Sequence, residues 1–158
     1  MSPYNNNFGT RGTLRPQNGQ TPAQSGQNGK DALRSLPAFD LTNLTKDLFD
    51  TVADQCAFAI SRTGEKFNQS TQIRRFYDEL VMWNERAQAS EQAFEESLPF
   101  IYMIKSKVAY AKGRGTVDST FQDFIKKTID QIVNRKTLNH AKLFMEAVMG
   151  FYKQYRTK

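Results

Sequence analysis

Pro99-Phe100-Ile101-Tyr102-Met103-Ile104-Lys105-Ser106-Lys107-Val108-Ala109-Tyr110-Ala111-Lys112-Gly113-Arg114-Gly115 decides the fold class. Ile101, Ile104, Val108 and Ala111 recur at spacings of three and four, the period of a helix with one buried face. Proline suits the opening position, because its missing N–H has no partner in a first turn. The spacing therefore predicts a helix that starts at Pro99 and stops at Gly113 and Gly115. On the same helix Lys107 and Arg114 stand seven apart and share one line, with Tyr110 and Met103 close to it. Lys105 and Lys112 share a second line roughly 160° away, at the border of the apolar stripe. One ligand does not easily meet both pairs. Lys107, Tyr110 and Arg114 stand clear of the core and form the favoured binding face. Lys105 and Lys112 are secondary candidates whose stems can lie along the core edge.

The same period runs outward in both directions. Leu44, Leu48, Val52, Cys56 and Ile60 recur every four residues, predicting a first helix over about 45–62. A second is expected over about 71–89, with Ser70 or Thr71 as N-cap and Ile73, Phe76, Tyr77, Leu80 and Asn84 inward. Glu91, Glu95 and Glu96 form an acidic stretch, read as at most a short helical turn. A fourth helix follows Asp118, and a fifth is expected over about 138–155. From Leu41 onward only Pro99 and four glycines interrupt the pattern, and β-branched alternation is absent. The expected fold is all-α: a compact bundle of about five amphipathic helices spanning 41–158.

Residues 1–40 differ in kind. The first 36 hold five of the nine glycines and three of the five prolines, with much Asn and Gln and few apolar side chains. Such a segment buries too little surface to offset the entropy of ordering it, so a disordered N-terminal tail is expected.

The chain has 158 residues and a net charge of +6. This balance favours anionic partners. The charge is uneven: Lys105, Lys107, Lys112 and Arg114 face no acid between residues 98 and 117. On the second helix Arg74 and Arg75 precede Phe76 and Tyr77, placing cations beside aromatic rings. Arginine suits phosphate, because its planar fork holds two oxygens at once. The competing reading pairs Arg74 with Asp78 and Arg75 with Glu79, each four residues on.

Catalytic groups are missing. Cys56 is a lone cysteine, expected in the core, and His140 is a lone histidine, expected at the surface or near a cap. A metal site needs a cluster of ligands. Asp47, Asp50 and Asp54 are better explained as a solvated helix face. Gly113-Arg114-Gly115 lacks the Lys-Ser/Thr of a phosphate loop. No catalytic residue, metal or cofactor is expected. The N-terminus has no secretory pattern, and no window holds the ~18 apolar residues that a membrane span requires. No membrane partner and a cytoplasmic location are expected.

Taken together these segments resemble a known family, the small helical subunit of type III-A (Csm-type) CRISPR effector complexes. Gln72-Ile73-Arg74-Arg75-Phe76-Tyr77 matches its mark on the second helix. Lys107-Val108-Ala109-Tyr110-Ala111, closed by Arg114, matches its mark on the third. Glu146, Ala147, Val148, Phe151 and Tyr152 fit its C-terminal helix. The resemblance covers about residues 41–155 and leaves the first 40 unexplained. It implies a non-catalytic subunit, stacked in several copies and packed against other subunits. It implies contact with the duplex of guide RNA and target RNA, in antiviral defence. Cutting belongs to neighbouring subunits. Arg74, Arg75, Lys107 and Arg114 are then the expected phosphate contacts, with Tyr110 stacking or donating. The alternative is a helical adaptor that binds only protein through Phe144, Phe151, Tyr152 and Tyr155. A small enzyme is the weakest reading.

Overall fold

The computed structural model describes residues 35–156. The tail expected over 1–40 lies outside the described residues up to Arg34. A π-helical turn, Leu48–Val52, leads into α1 (Ala53–Ser61). The remaining helices are α2 (Ser70–Ala87), α3 (Glu91–Gly113), α4 (Ser119–Asp130) and α5 (Arg135–Tyr155). Among the described residues there is no strand.

The helices close a ring. α5 packs against α1 and α2, α2 against α3, α3 against α4, and α4 against α1. Each helix turns its apolar stripe to the centre, where Ile60, Ile101, Ile104, Phe121, Phe124, Leu138 and Phe144 are almost fully buried. The rings of Phe76, Phe121, Phe124 and Phe144 form a chain with centroids 5.8–6.3 Å apart. Tilted pairs of this kind add to the burial of the rings themselves.

Several boundaries differ from the expected ones, each for a local reason. The third helix does not open at Pro99; α3 begins eight residues earlier and carries the proline inside. The carbonyl deprived of its donor belongs to Glu95, an exposed position where water can serve instead. The acidic stretch is thus the first part of α3. Ser90 caps it, accepting from the Ala93 N–H at 3.0 Å. The last helix begins at Arg135, because Asn134 and Thr137 form a reciprocal capping box. Gln69, rather than Ser70 or Thr71, occupies the N-cap of α2 and makes no side-chain cap bond.

The first stripe drifts by about 40° per step, because residues four apart overshoot one α-helical turn. The wider π turn at Leu48–Val52 falls within that stripe. At its far end Leu44 is exposed, contrary to its place in the pattern.

The packed body begins before Leu41. Phe39 lies 4.7 Å from Phe144, centroid to centroid. Gln131 clamps this segment: its Oε1 accepts from the Leu41 N–H at 2.7 Å, and its Nε2 donates to the Phe39 carbonyl at 3.0 Å. His140 is buried, not at the surface, and its Nδ1 donates to the Leu41 carbonyl at 2.6 Å. Cys56 is fully buried as expected, and burial pushes its thiol up to about 12.

One residue ties four segments together. Asn68 sits at φ 51°, a region asparagine tolerates, and is fully buried. Its Nδ2 donates to the Ile60 carbonyl at 3.1 Å and to Asp118 Oδ1 at 2.7 Å. Its Oδ1 accepts from the Asp118 N–H at 3.0 Å, and its own N–H donates to the Thr116 carbonyl at 2.9 Å. The Tyr152 hydroxyl donates to its carbonyl.

Candidate nucleic-acid interface

α2 and α3 follow one another in the chain and pack side by side, so their outward stripes face the same way. On α2 this stripe is Gln72, Arg75, Glu79, Met82 and Arg86; on α3 it is Phe100, Met103, Lys107, Tyr110 and Arg114. One end of the face is cationic. Gln72, Arg75, Phe76, Lys107, Tyr110, Ala111, Arg114 and Thr116 line a shallow recess of about 380 Å³. Four of the seven candidate residues, Arg75, Lys107, Tyr110 and Arg114, are therefore brought together, all exposed. Tyr110 is the most exposed large apolar side chain in the bundle at 68%, and the Arg114 guanidinium stands 5.8 Å from its ring centre.

The end of α3 shapes this recess. Gly115 takes φ +74°, a left-handed turn that favours glycine. The Thr116 N–H donates back to the Ala111 carbonyl at 3.0 Å and the Gly115 N–H to the Lys112 carbonyl at 2.9 Å. This paired return bond satisfies the last carbonyls and stops the helix with Arg114 as its C-cap. Cations here oppose the negative end of the helix dipole.

The other three candidates lie elsewhere. Arg74 points away from its neighbour Arg75, donates to Asp78 at 2.9 Å and lies 5.8 Å from the Tyr77 ring. It lines a different recess of about 580 Å³, between α2 and α5, with Ser70, Tyr77, Glu146 and Lys153. There Lys142 and Glu146 are paired at 2.9 Å, and the hydrogen bond from Lys142 holds the Glu146 carboxyl below its usual range. Lys105 pairs with Asp130 and packs over Tyr102, so it is held against α4. Lys112 is exposed and outside the recess.

The expected Arg74–Asp78 pair is present, but the Arg75–Glu79 pair is not. Glu79 instead accepts from Lys107 across the helix seam at 2.5 Å. Glu79 is the more buried member of its pair, at 20% exposure against 46% for Lys107, and sits at the α2–α3 seam where the lysine of the neighbouring helix reaches it. Among the described residues neither Arg75 nor Arg114 has an acidic partner.

The other end of the face is mainly apolar, with the Arg86 guanidinium 5.2 Å from the Trp83 ring centre. Trp83 and Phe100 stack with centroids 5.0 Å apart and planes 9° from parallel, with Met82 and Met103 exposed beside them. Neither this end nor the part of Glu79 is marked in the sequence of one helix; both emerge when the α2 and α3 stripes are aligned. The aromatic surface expected on the last helix is not present as such. Phe144 and Tyr152 are buried, and the Tyr155 hydroxyl donates to Asp54 at 2.6 Å. Among the described residues no three His, Cys, Asp or Glu side chains gather as metal ligands, and no helix is long and apolar enough to cross a membrane.

Compared with known proteins, residues 43–158 match the family model described as Csm2 Type III-A. No curated protein and no solved structure matches the chain.

Proposed function

Because the chain belongs to the Csm2 family, and is thus a small subunit of a type III-A CRISPR complex, we propose that its α2–α3 face holds the backbone of the guide RNA–target RNA duplex. Arg75, Lys107 and Arg114 neutralise phosphates, and Tyr110 stacks on a base or donates to a phosphate oxygen. Backbone contact carries no sequence preference, which suits a machine whose sequence is read by base pairing. The subunit holds RNA without cutting it, works in the cytoplasm in antiviral defence, and packs against copies of itself and other subunits. Each copy binds weakly; repetition along the complex supplies the strength through high local concentration.

The observation that carries this reading is the recess itself. Three cations from two helices converge on one hollow, and only Lys107 has an acid beside it. The protein-only adaptor has lost two of its four contact residues to the core, Phe144 and Tyr152. Subunit contacts have instead the mainly apolar end of the α2–α3 face, around Trp83 and Phe100.

The test is retention of RNA by the assembled complex carrying Lys107→Ala and Arg114→Ala together. Guide RNA recovered with the complex should fall while the helical circular-dichroism signal stays unchanged. Full retention by the double variant would refute this assignment of the face.

A further inference from the structure

Among the described residues, Glu79 is the one acid set into the cationic end of the α2–α3 face. Its Oε1 lies 2.5 Å from Lys107 Nζ. Arg75 stands one turn earlier on the same helix, and Arg114 two turns later than Lys107 on α3. The two partners are unequally placed: the Glu79 side chain is 20% exposed and that of Lys107 46%. The carboxylate is fixed against the helix seam, and the ammonium, on a flexible stem, is the part free to move. The remaining ion pairs do not touch this recess. Arg74–Asp78 and Lys142–Glu146 belong to the α2–α5 side, Lys105–Asp130 to the α3–α4 side, and Arg135–Glu91 joins the starts of α5 and α3.

We infer that Glu79 is an internal counterion that holds Lys107 until an RNA phosphate displaces it, and so sets both the strength and the salt dependence of RNA binding at this face. The inference rests on the reading of the face as an RNA-binding surface. When a free lysine meets a phosphate, the phosphate releases a condensed cation to solution, and affinity gains a salt dependence of roughly 0.7–0.9 per contact. Lys107 differs. A phosphate that takes it leaves the Glu79 carboxylate uncovered beside the RNA, so the Lys107–Glu79 pair brings almost no net charge to the polyanion and releases few condensed cations. Lys107 therefore adds affinity with little added salt dependence. Arg75 and Arg114, without acids beside them, carry the full dependence.

The full-length chain is titrated against a fluorescein-labelled RNA duplex of arbitrary sequence across a series of potassium chloride concentrations. Glu79→Gln should bind about two- to fivefold tighter at low salt, the equilibrium equivalent of one exposed ion pair. Its plot of log affinity against log salt should steepen by roughly 0.7–0.9. Adding Lys107→Ala to Glu79→Gln should abolish both changes. If Lys107→Ala and Arg114→Ala weaken binding while Glu79→Gln matches the native chain in affinity and slope, the counterion role is wrong and the RNA face stands. If none of the three variants alters binding, the RNA face falls and the counterion role with it.

Discussion

Two recesses flank α2, and from a list of lining residues they look alike. Each has arginine from the Arg74-Arg75 pair, a tyrosine, and a lysine from a neighbouring helix. The α2–α5 recess is the larger, at about 580 Å³ against about 380 Å³. Yet its arginine is bound to Asp78, and Glu146 reaches into it. The α2–α3 recess has three cations and one acid at its margin. Volume alone would choose the α2–α5 hollow; the balance of charge favours the other. What distinguishes the proposed phosphate-binding surface is an excess of positive charge over acid, because a cation held by an acid must first be released.

The comparison can be attacked from below, by testing the body that both recesses rest on. If that body is closed, Cys56 should react with a thiol reagent at least about a thousandfold more slowly in the native chain than in urea, since reaction needs global opening. Its raised thiol also makes a pH statement. The unfolded thiol ionises near 9.0 and the folded one near 12. The folded state keeps its proton longer, so this contribution to stability is whole below pH 9 and drains as pH climbs toward 12. Next in size, Phe121→Ala should cost about 3–5 kcal/mol by urea denaturation. Phe121 lies 5.8 Å from Phe76, which lines the smaller recess, and beside Ile73, which lines the larger. Both hollows should therefore deform together.

The direct contrast is smaller but sharper. Lys107→Ala with Arg114→Ala should weaken binding of an RNA duplex about tenfold, or about 1.4 kcal/mol, whereas Arg74→Ala should stay within about twofold. Equal losses from the two would erase the distinction between the recesses. The least effect is expected from Asp78→Asn, which breaks the exposed Arg74–Asp78 pair and should change unfolding stability by under about 1 kcal/mol.

Much of this was legible in the sequence. The α3 stripe declared itself because Ile101, Ile104, Val108 and Ala111 keep helical spacing and all four are buried. The Lys107–Tyr110–Arg114 line followed from the same geometry and does lie on one face of the bundle. Pro99 misled because proline more often begins a helix than sits inside one, and only the exposure of Glu95 shows why it is tolerated here. His140 misled because its partner, the Leu41 carbonyl, lies 99 residues away. The division between Arg74 and Arg75 depends on which helices flank α2, and the link from Glu79 to Lys107 crosses 28 residues. Facts of that kind arise from the meeting of two helices and are written in neither.

The junction at Asn68 also bears on the order of assembly. Its five bonds reach Ile60, Thr116, Asp118 and Tyr152, the last across 84 residues. Local turns form first, and long loops close only after an entropic cost that near contacts do not meet. Asn68 is therefore expected to latch after the transition state. Damage to it should leave the refolding arm of a chevron plot almost unmoved and raise the escape rate from the native basin. On that expectation the lifetime of the subunit, rather than the speed at which it arises, hangs on this buried amide.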